Sequence, residues 1–244
     1  MLRTPNSELR TMFPLDEVLL QVQATSPKKV LFRGEGTGGI ASYVAGWMAG
    51  KGMDVIILDG ANRFNPYVAS SFARKALIPP EEILKRIRIA RAFTCYQMAT
   101  LMGEKLFSFL GTIGQLSLQK IQVLLLGPIT TFLDEDVPER EVGPLFERAL
   151  KKVAEMAVEG VPFFLFQSSV APSSKRASLM RRLSDFSDLV WRISLEDEEP
   201  KMILEKRREL NHKTFFHSSL IYPPHLPWSG LIDNPLPPRG EEII

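Results

Sequence analysis

The stretch VLFRGEGTGGIASYVAG, Val30 to Gly46, joins a short apolar run to a glycine-rich turn and then to helix-forming residues. Gly34 and Gly39 stand at the spacing of the two glycines in G-x-x-x-x-G-K-[ST], a loop whose backbone amides cradle phosphate. Ile40 occupies the lysine position and Ala41 the Ser/Thr position. The pattern of a phosphate site is there, and its charged and hydroxyl groups are not. A glycine turn after a strand also has a plainer reading, because it lets the next helix pack close to the sheet. Backbone N–H groups at a helix start attract anions even without a lysine. For Gly34, Glu35, Gly36, Thr37, Gly38, Gly39, Ile40 and Ala41, an anion site and a packing turn both stay open.

Outward from this turn the chain alternates strands and helices. KVLF (29–32) and DVIILDG (54–60) read as buried strands, with the helix ASYVAGWMAGKG between them, starting near Ala41 and closed at Gly52. NPYVASSFARKA (65–76) is a helix with Pro66 in its first turn, and PPEEILKRI (79–87) starts another with acids at its N-terminus. RIRIARAF (86–93) follows as a third strand. After it comes an amphipathic helix carrying Met98, Leu101, Met102, Leu106 and Phe109. IQVLLLG (121–127) and PFFLFQ (162–167) are apolar enough to be central strands, and GPLFERALKKVAEMAVEG (143–160) is the helix between them. DLVWRISLE, KMILEKRR and KTFFHSS are expected to form an antiparallel C-terminal edge. A mainly parallel sheet covered by helices on both faces is the architecture this order implies. The core spans 29–220, preceded by a segment 1–28 and followed by a proline-rich tail 221–244.

Composition narrows the class. With 244 residues, 45% of them hydrophobic, the chain can bury one large core. A formal net charge of +2 neither demands nor excludes nucleic acid. One cysteine, Cys95, rules out an internal disulfide and suits a reducing compartment. The N-terminus has no signal-type apolar core, and the apolar runs fall short of a bilayer span. A cytoplasmic protein without membrane contact is expected.

The glycine turn, ILDGANRFNP (57–66), RIRIARAFTCYQM (86–98), VLLLGPITTF (123–132) and FFLFQSSV (163–170) fall in an order that resembles the RecA/RadA-type recombinase ATPases. RIARAFTCYQ is the nearest local match, and the resemblance covers roughly residues 28–220. It implies a three-layer RecA-like P-loop fold. In that family the loop lysine neutralises the β/γ-phosphates and the next hydroxyl binds magnesium. A glutamate two residues after the first of the D-T-E-G-T-F-R-P positions activates water, and an aspartate ends the Walker B strand. Aligned on Asp59, Phe64 and Pro66, the glutamate falls on Ala61, and the Walker B strand ends at Gly127. All of these groups are replaced by residues without charge or proton chemistry, which implies a degenerate ATPase.

The resemblance also implies two DNA loops. LDEDVPEREVG (133–143) is acidic and would repel phosphate. SSVAPSSKRASLMRRLS (168–184) carries Lys175, Arg176, Arg181 and Arg182, which read either as a nucleic-acid contact or as a solvated helix face. LEKRRE (204–209) resembles the segment by which family members reach a neighbour's ATP site, with Lys206, Arg207 and Arg208 as the basic residues. His212, His217 and His225 have no partners at ligand spacing, so no metal is expected. Trp47 and Trp191 read as core. The resulting expectation is a non-catalytic, oligomer-forming accessory or structural subunit in DNA recombination or repair, docking on a RecA-like relative or on itself. No cofactor is expected beyond weak ATP, and single-stranded DNA is a further candidate ligand. Two alternatives stay open: a nucleic-acid scaffold outside recombination, and an atypical NTPase whose lysine is displaced to Lys51 or Lys206.

Overall fold

Val30, Leu31 and Phe32 have no polar side chain, and neither do Val55 to Leu58, Val123 to Leu126 or Phe163 to Phe166. Such runs are stable only when both faces of the strand are covered. In the computed structural model, which describes residues 12–113, 118–134, 136–170, 176–196 and 199–207, these runs are strands of one sheet. The strands are β1 (Met12–Pro14), β2 (Lys29–Gly34), β3 (Asp54–Asp59), β4 (Ile87–Arg91), β5 (Ile121–Leu126), β6 (Phe163–Gln167), β7 (Leu189–Glu196) and β8 (Glu199–Arg207). Their order across the sheet is β1-β8-β7-β2-β6-β5-β3-β4. From β7 through β4 every neighbouring pair is parallel. β8 runs antiparallel to both β7 and β1.

The antiparallel edge differs in detail from expectation. DLVWRISLE, as β7, joins the parallel set by pairing with β2, and the antiparallel relation begins only at β8. The outermost strand comes from the N-terminal segment, with Met12 opposite Ile203. KTFFHSS and the proline-rich tail lie outside the described residues.

The helices form a layer on each face. α1 (Leu15–Thr25), α2 (Thr37–Gly50), α3 (Pro66–Lys75) and α4 (Pro80–Leu84) cover one side. Leu15, Val18, Leu19 and Val22 of α1 pack into the same cluster as Val30, Phe32 and Trp191. α5 (Cys95–Thr100), a π-helical turn (Leu101–Lys105), α6 (Leu106–Gly111), α7 (Glu139–Val158) and α8 (Ala177–Phe186) cover the other. There Leu31, Leu58, Val123, Leu125, Phe163 and Leu165 meet Met98, Met102, Phe146 and Leu183. Alternate residues of each central strand thus feed opposite cores.

α2 begins at Thr37, earlier than the start near Ala41 expected from the glycines, so Gly38 and Gly39 lie in its first turn. The turn between β2 and α2 shrinks to Glu35 and Gly36, with Gly36 left-handed at φ 63° as the N-cap. Two glycines have packing reasons to be glycine. A Cβ on Gly34 would sit 2.3 Å from the Ile193 carbonyl oxygen of β7, and one on Gly38 would sit 2.9 Å from Arg63 Cβ. Pro66 starts α3 as expected, and Asn65 caps it by accepting the Tyr67 N–H at 2.9 Å.

Candidate nucleotide site at the strand ends

Parallel strands bring their C-terminal ends to one edge, and open α/β sheets bind ligands there. Here the ends of β2, β3, β5 and β6 present the Glu35–Gly36 turn, the Gly60–Phe64 segment, Gly127 and Ser168. The cavity between them, lined by Thr37, Gly38, Ala61, Arg63, Gly127 and Ser168, measures about 10 Å³. That is room for about one water molecule, whereas small-molecule pockets start near ~300 Å³.

Each wall of this cavity is held by its own polar bonds. Asp59 ends β3 wholly buried, and its carboxylate accepts the backbone N–H groups of Ala61 (3.2 Å), Arg63 (3.2 Å) and Phe64 (2.9 Å). Arg91 Nε adds an ion pair at 3.8 Å. Those bonds fold residues 60–64 over the start of α2. Ser42 Oγ, one turn into α2, accepts the Asn65 N–H at 2.9 Å and donates to the Gly38 carbonyl at 2.8 Å. Thr37 and Ser168 join their hydroxyls at 3.0 Å. Gln167 ends β6 buried, accepting the Ile129 N–H at 3.1 Å and donating to Thr130 Oγ1 at 3.4 Å. Sequence reasoning passed over Ser42 and Gln167. The signal for Gln167 was one polar residue closing an otherwise apolar strand.

The side chains at the lysine and hydroxyl positions of the loop pattern turn inward. Ile40 and Ala41 point into the core, buried with Val44 and Phe64. Ala61 and Gly127 face each other closely. Gly127 has φ 59°, and a Cβ there would lie 2.5 Å from Thr130 Oγ1 and 2.6 Å from Ala61 Cβ. An aspartate at this position collides with its neighbours. Among the described residues no group of three His, Cys, Asp or Glu side chains is placed to hold a metal. His212, His217 and His225 lie outside them.

The basic residues singled out from sequence are not gathered into one surface. Lys175 and Arg208 lie outside the described residues, and only the backbone of Arg207 is described. Arg176 turns inward, against expectation. It is only 8% exposed, and its guanidinium donates to the carbonyls of Phe132 (2.7 Å), Asp134 and Val137. It clamps the acidic segment rather than facing solvent. Arg182 pairs with Glu147 at 2.6 Å, while Arg181 is exposed. Lys206 donates to the carbonyls of Ser184 and Asp185, at 2.8 and 2.9 Å, where the end of α8 favours a cation. Lys51 is ruled out as a displaced loop lysine. It follows the last residue of a 14-residue helix, about 20 Å along the axis from the glycines. There it lies 3.7 Å from the Trp47 ring centroid, with burial holding its pKa below the usual lysine value. Trp47 is accordingly half-buried, while Trp191 is core.

Three larger hollows lie elsewhere, one of them, about 360 Å³, between α7 and the end of α8 beside Glu147, Lys151 and Phe186. Another, of about 400 Å³, runs between α8 and the sheet, lined by Arg33, Met180, Arg181, Val190, Glu205 and Lys206. The third, about 200 Å³, lies beside β4 and is walled by Leu58, Ala90, Leu101, Leu106 and Phe109. β4 is the last strand of the sheet, and its outer edge pairs with nothing among the described residues.

No family model matches the chain. No curated protein matches it either. Solved structures do. The crystal structure of the RadB recombinase superimposes with a TM-score of 0.60 over 77% of this chain and 87% of that one, at 14% sequence identity. The fold is RecA-like. The RecA-like sheet here keeps its parallel core and antiparallel C-terminal edge. Identity at this level speaks to the fold alone. No helix among the described residues is long and apolar enough to cross a membrane.

Proposed function

We propose that this chain is a RecA-like protein without nucleotide chemistry, acting as an accessory or structural subunit that docks on a RecA-like relative or on a second copy of itself. Recombination or repair is the setting its fold favours. The observation that carries this reading is the small strand-end cavity of about 10 Å³. Ile40 and Ala41 have turned into the core, and Gly127 has no space for a carboxylate. Filling a site with packed side chains, rather than only losing its charges, is what a scaffold role permits. The open edge of β4, with an apolar hollow of about 200 Å³ beside it, offers a partner both backbone hydrogen bonds and a pocket.

Hydrolysis of ATP and GTP with magnesium tests this reading. The purified protein is expected to show no turnover above buffer. Arg63 packs against Gly38 in the first turn of α2. Turnover that follows the protein through purification and disappears in Arg63→Ala would establish an atypical NTPase instead. A nucleic-acid scaffold is the second reading. It no longer rests on the segment Lys175 to Arg182, since Arg176 is buried and Arg182 is paired.

A further inference from the structure

β8 ends at Arg207, opposite Leu189 at the start of β7. Just before that end, Lys206 donates to the carbonyls of Ser184 and Asp185, which holds the strand against the last turn of α8. The hollow of about 360 Å³ opens at the same turn. One wall is α8, with Asp185 and Phe186, and the other is α7, with Lys151 and Ala154. Glu147 and Arg182, which also line the hollow, join the two walls by an ion pair at 2.6 Å. Spacings of three and four residues put each set on one stripe of its helix. The hollow is therefore a groove between two helix faces. Leu150, Ala154 and Phe186 supply its apolar surface. Ala154 and Phe186 are only half-buried, so part of that surface is left to cover.

We propose that the segment KTFFH, residues 213–217, docks in this groove of its own chain. Residues 208–244 follow the end of β8, and 208–214 contain one apolar side chain, Leu210. Phe215 and Phe216 are thus the first apolar pair after the strand. Eight residues of extended chain, from Arg207 to Phe215, span up to ~26 Å. Phe186 lies three residues before Leu189, which puts the near end of the groove within ~15 Å of Arg207. The stripe of α7 from Glu147 to Ala154 adds ~10 Å. The pair therefore reaches the whole groove. Charge selects this groove over the hollow of about 400 Å³ that Lys206 also lines. There Arg33, Arg181 and Lys206 face one acid, Glu205, whereas residues 208–217 bring Arg208, Lys213 and two histidines against Glu209 alone. Here Glu147 and Asp185 balance Lys151 and Arg182. The place beside β8 expected for KTFFHSS is taken by β1 at Lys201 to Ile203. Docked in the groove, the segment ties α8 to α7, a role that needs neither nucleotide nor a second molecule.

Hydrogen exchange of the full chain, read by mass spectrometry, tests it. Amides of residues 213–217 are expected to exchange at least about tenfold more slowly than in a free peptide of the same sequence. That protection is expected to be unchanged by a dilution of about a hundredfold, as for a contact within one chain. Ala154→Arg fills the groove and is expected to abolish the protection of 213–217 while β2, β3, β5 and β6 exchange as in the parent. The double variant Phe215→Ser, Phe216→Ser leaves both helices untouched. It is expected to raise the labelling of Lys151 by an amine reagent at least about threefold, with labelling of the exposed Lys75 unchanged. The proposal is overturned if 213–217 exchange at the peptide rate in the parent, or if the protection fades on dilution, which would assign the segment to a second copy. It is overturned as well if Ala154→Arg keeps the protection, or if the serine variant labels Lys151 like the parent. Should Ala154→Arg lose the protection of the strands too, it has unfolded, and Lys151 labelling in the serine variant decides.

Discussion

Gly127 turns the chain at φ 59° with Thr130 and Ala61 against its bare Cα. Gly127→Asp is therefore expected to cost about 3 kcal/mol or more in urea denaturation, from left-handed strain and overpacking together. It is not expected to bring magnesium binding, which calorimetry of the variant would check. Arg176 has the opposite relation to its surroundings: its charge is needed inside. Arg176→Met should lose about 2–3 kcal/mol of stability, because carbonyls of Phe132, Asp134 and Val137 lose their donor. Cys95 is fully buried, and that burial pushes its thiol pKa above the ordinary value. A thiol reagent near pH 8 is expected to leave the folded protein unmodified and to react with one equivalent after unfolding. At this scale the sequence was legible where a residue's role is local. The absence of charge at Ile40, Ala41, Ala61 and Gly127 could be read directly. The burial of Arg176 could not, because its acceptors lie about forty residues away in sequence.

The central strands could be read from the chain because both of their faces are buried, which leaves runs of apolar residues stopped by glycine or a polar residue. Helix starts were harder. Gly38 and Gly39 read as loop, yet they are helical because the Gly60–Phe64 segment packs so closely on α2 that only a glycine fits beneath Arg63. β1 is three residues long and includes a proline, so nothing local marks it as a strand. The cap of α3 can be tested directly. Asn65→Ala removes the acceptor for the Tyr67 N–H and should cost about 1 kcal/mol in thermal or chemical unfolding. β4 supplies the element-scale test of docking. Ile89 is 42% exposed on the open strand, so Ile89→Glu should leave unfolding unchanged within about 0.5 kcal/mol. If copies of the chain associate along this edge, sedimentation velocity should show association in the parent and its loss in Ile89→Glu.

Across the whole molecule, sequence order and spatial order part at β2, a central strand both of whose neighbours come late. Its neighbours are β6 and β7, so Lys29 meets Phe163 and Val30 meets Leu189. β3, by contrast, finds β4 after about thirty residues, with Val55 opposite Ile87. β1 waits longer still, for Ile203. During synthesis from the N-terminus, the Val30–Phe32 run therefore leaves the ribosome with both hydrogen-bonding edges bare. At roughly 5–20 residues per second the gap before β6 emerges lasts on the order of ten seconds. In that interval the nascent chain carries a short, sticky, unpaired strand. Lys28 and Lys29 precede it and Arg33 follows it, so the exposed segment is flanked by like charges that repel other copies of itself. Ribosome-arrested chains ending near residue 150 should accordingly be readily cleaved within residues 28–60, and chains extended well past residue 207 should resist.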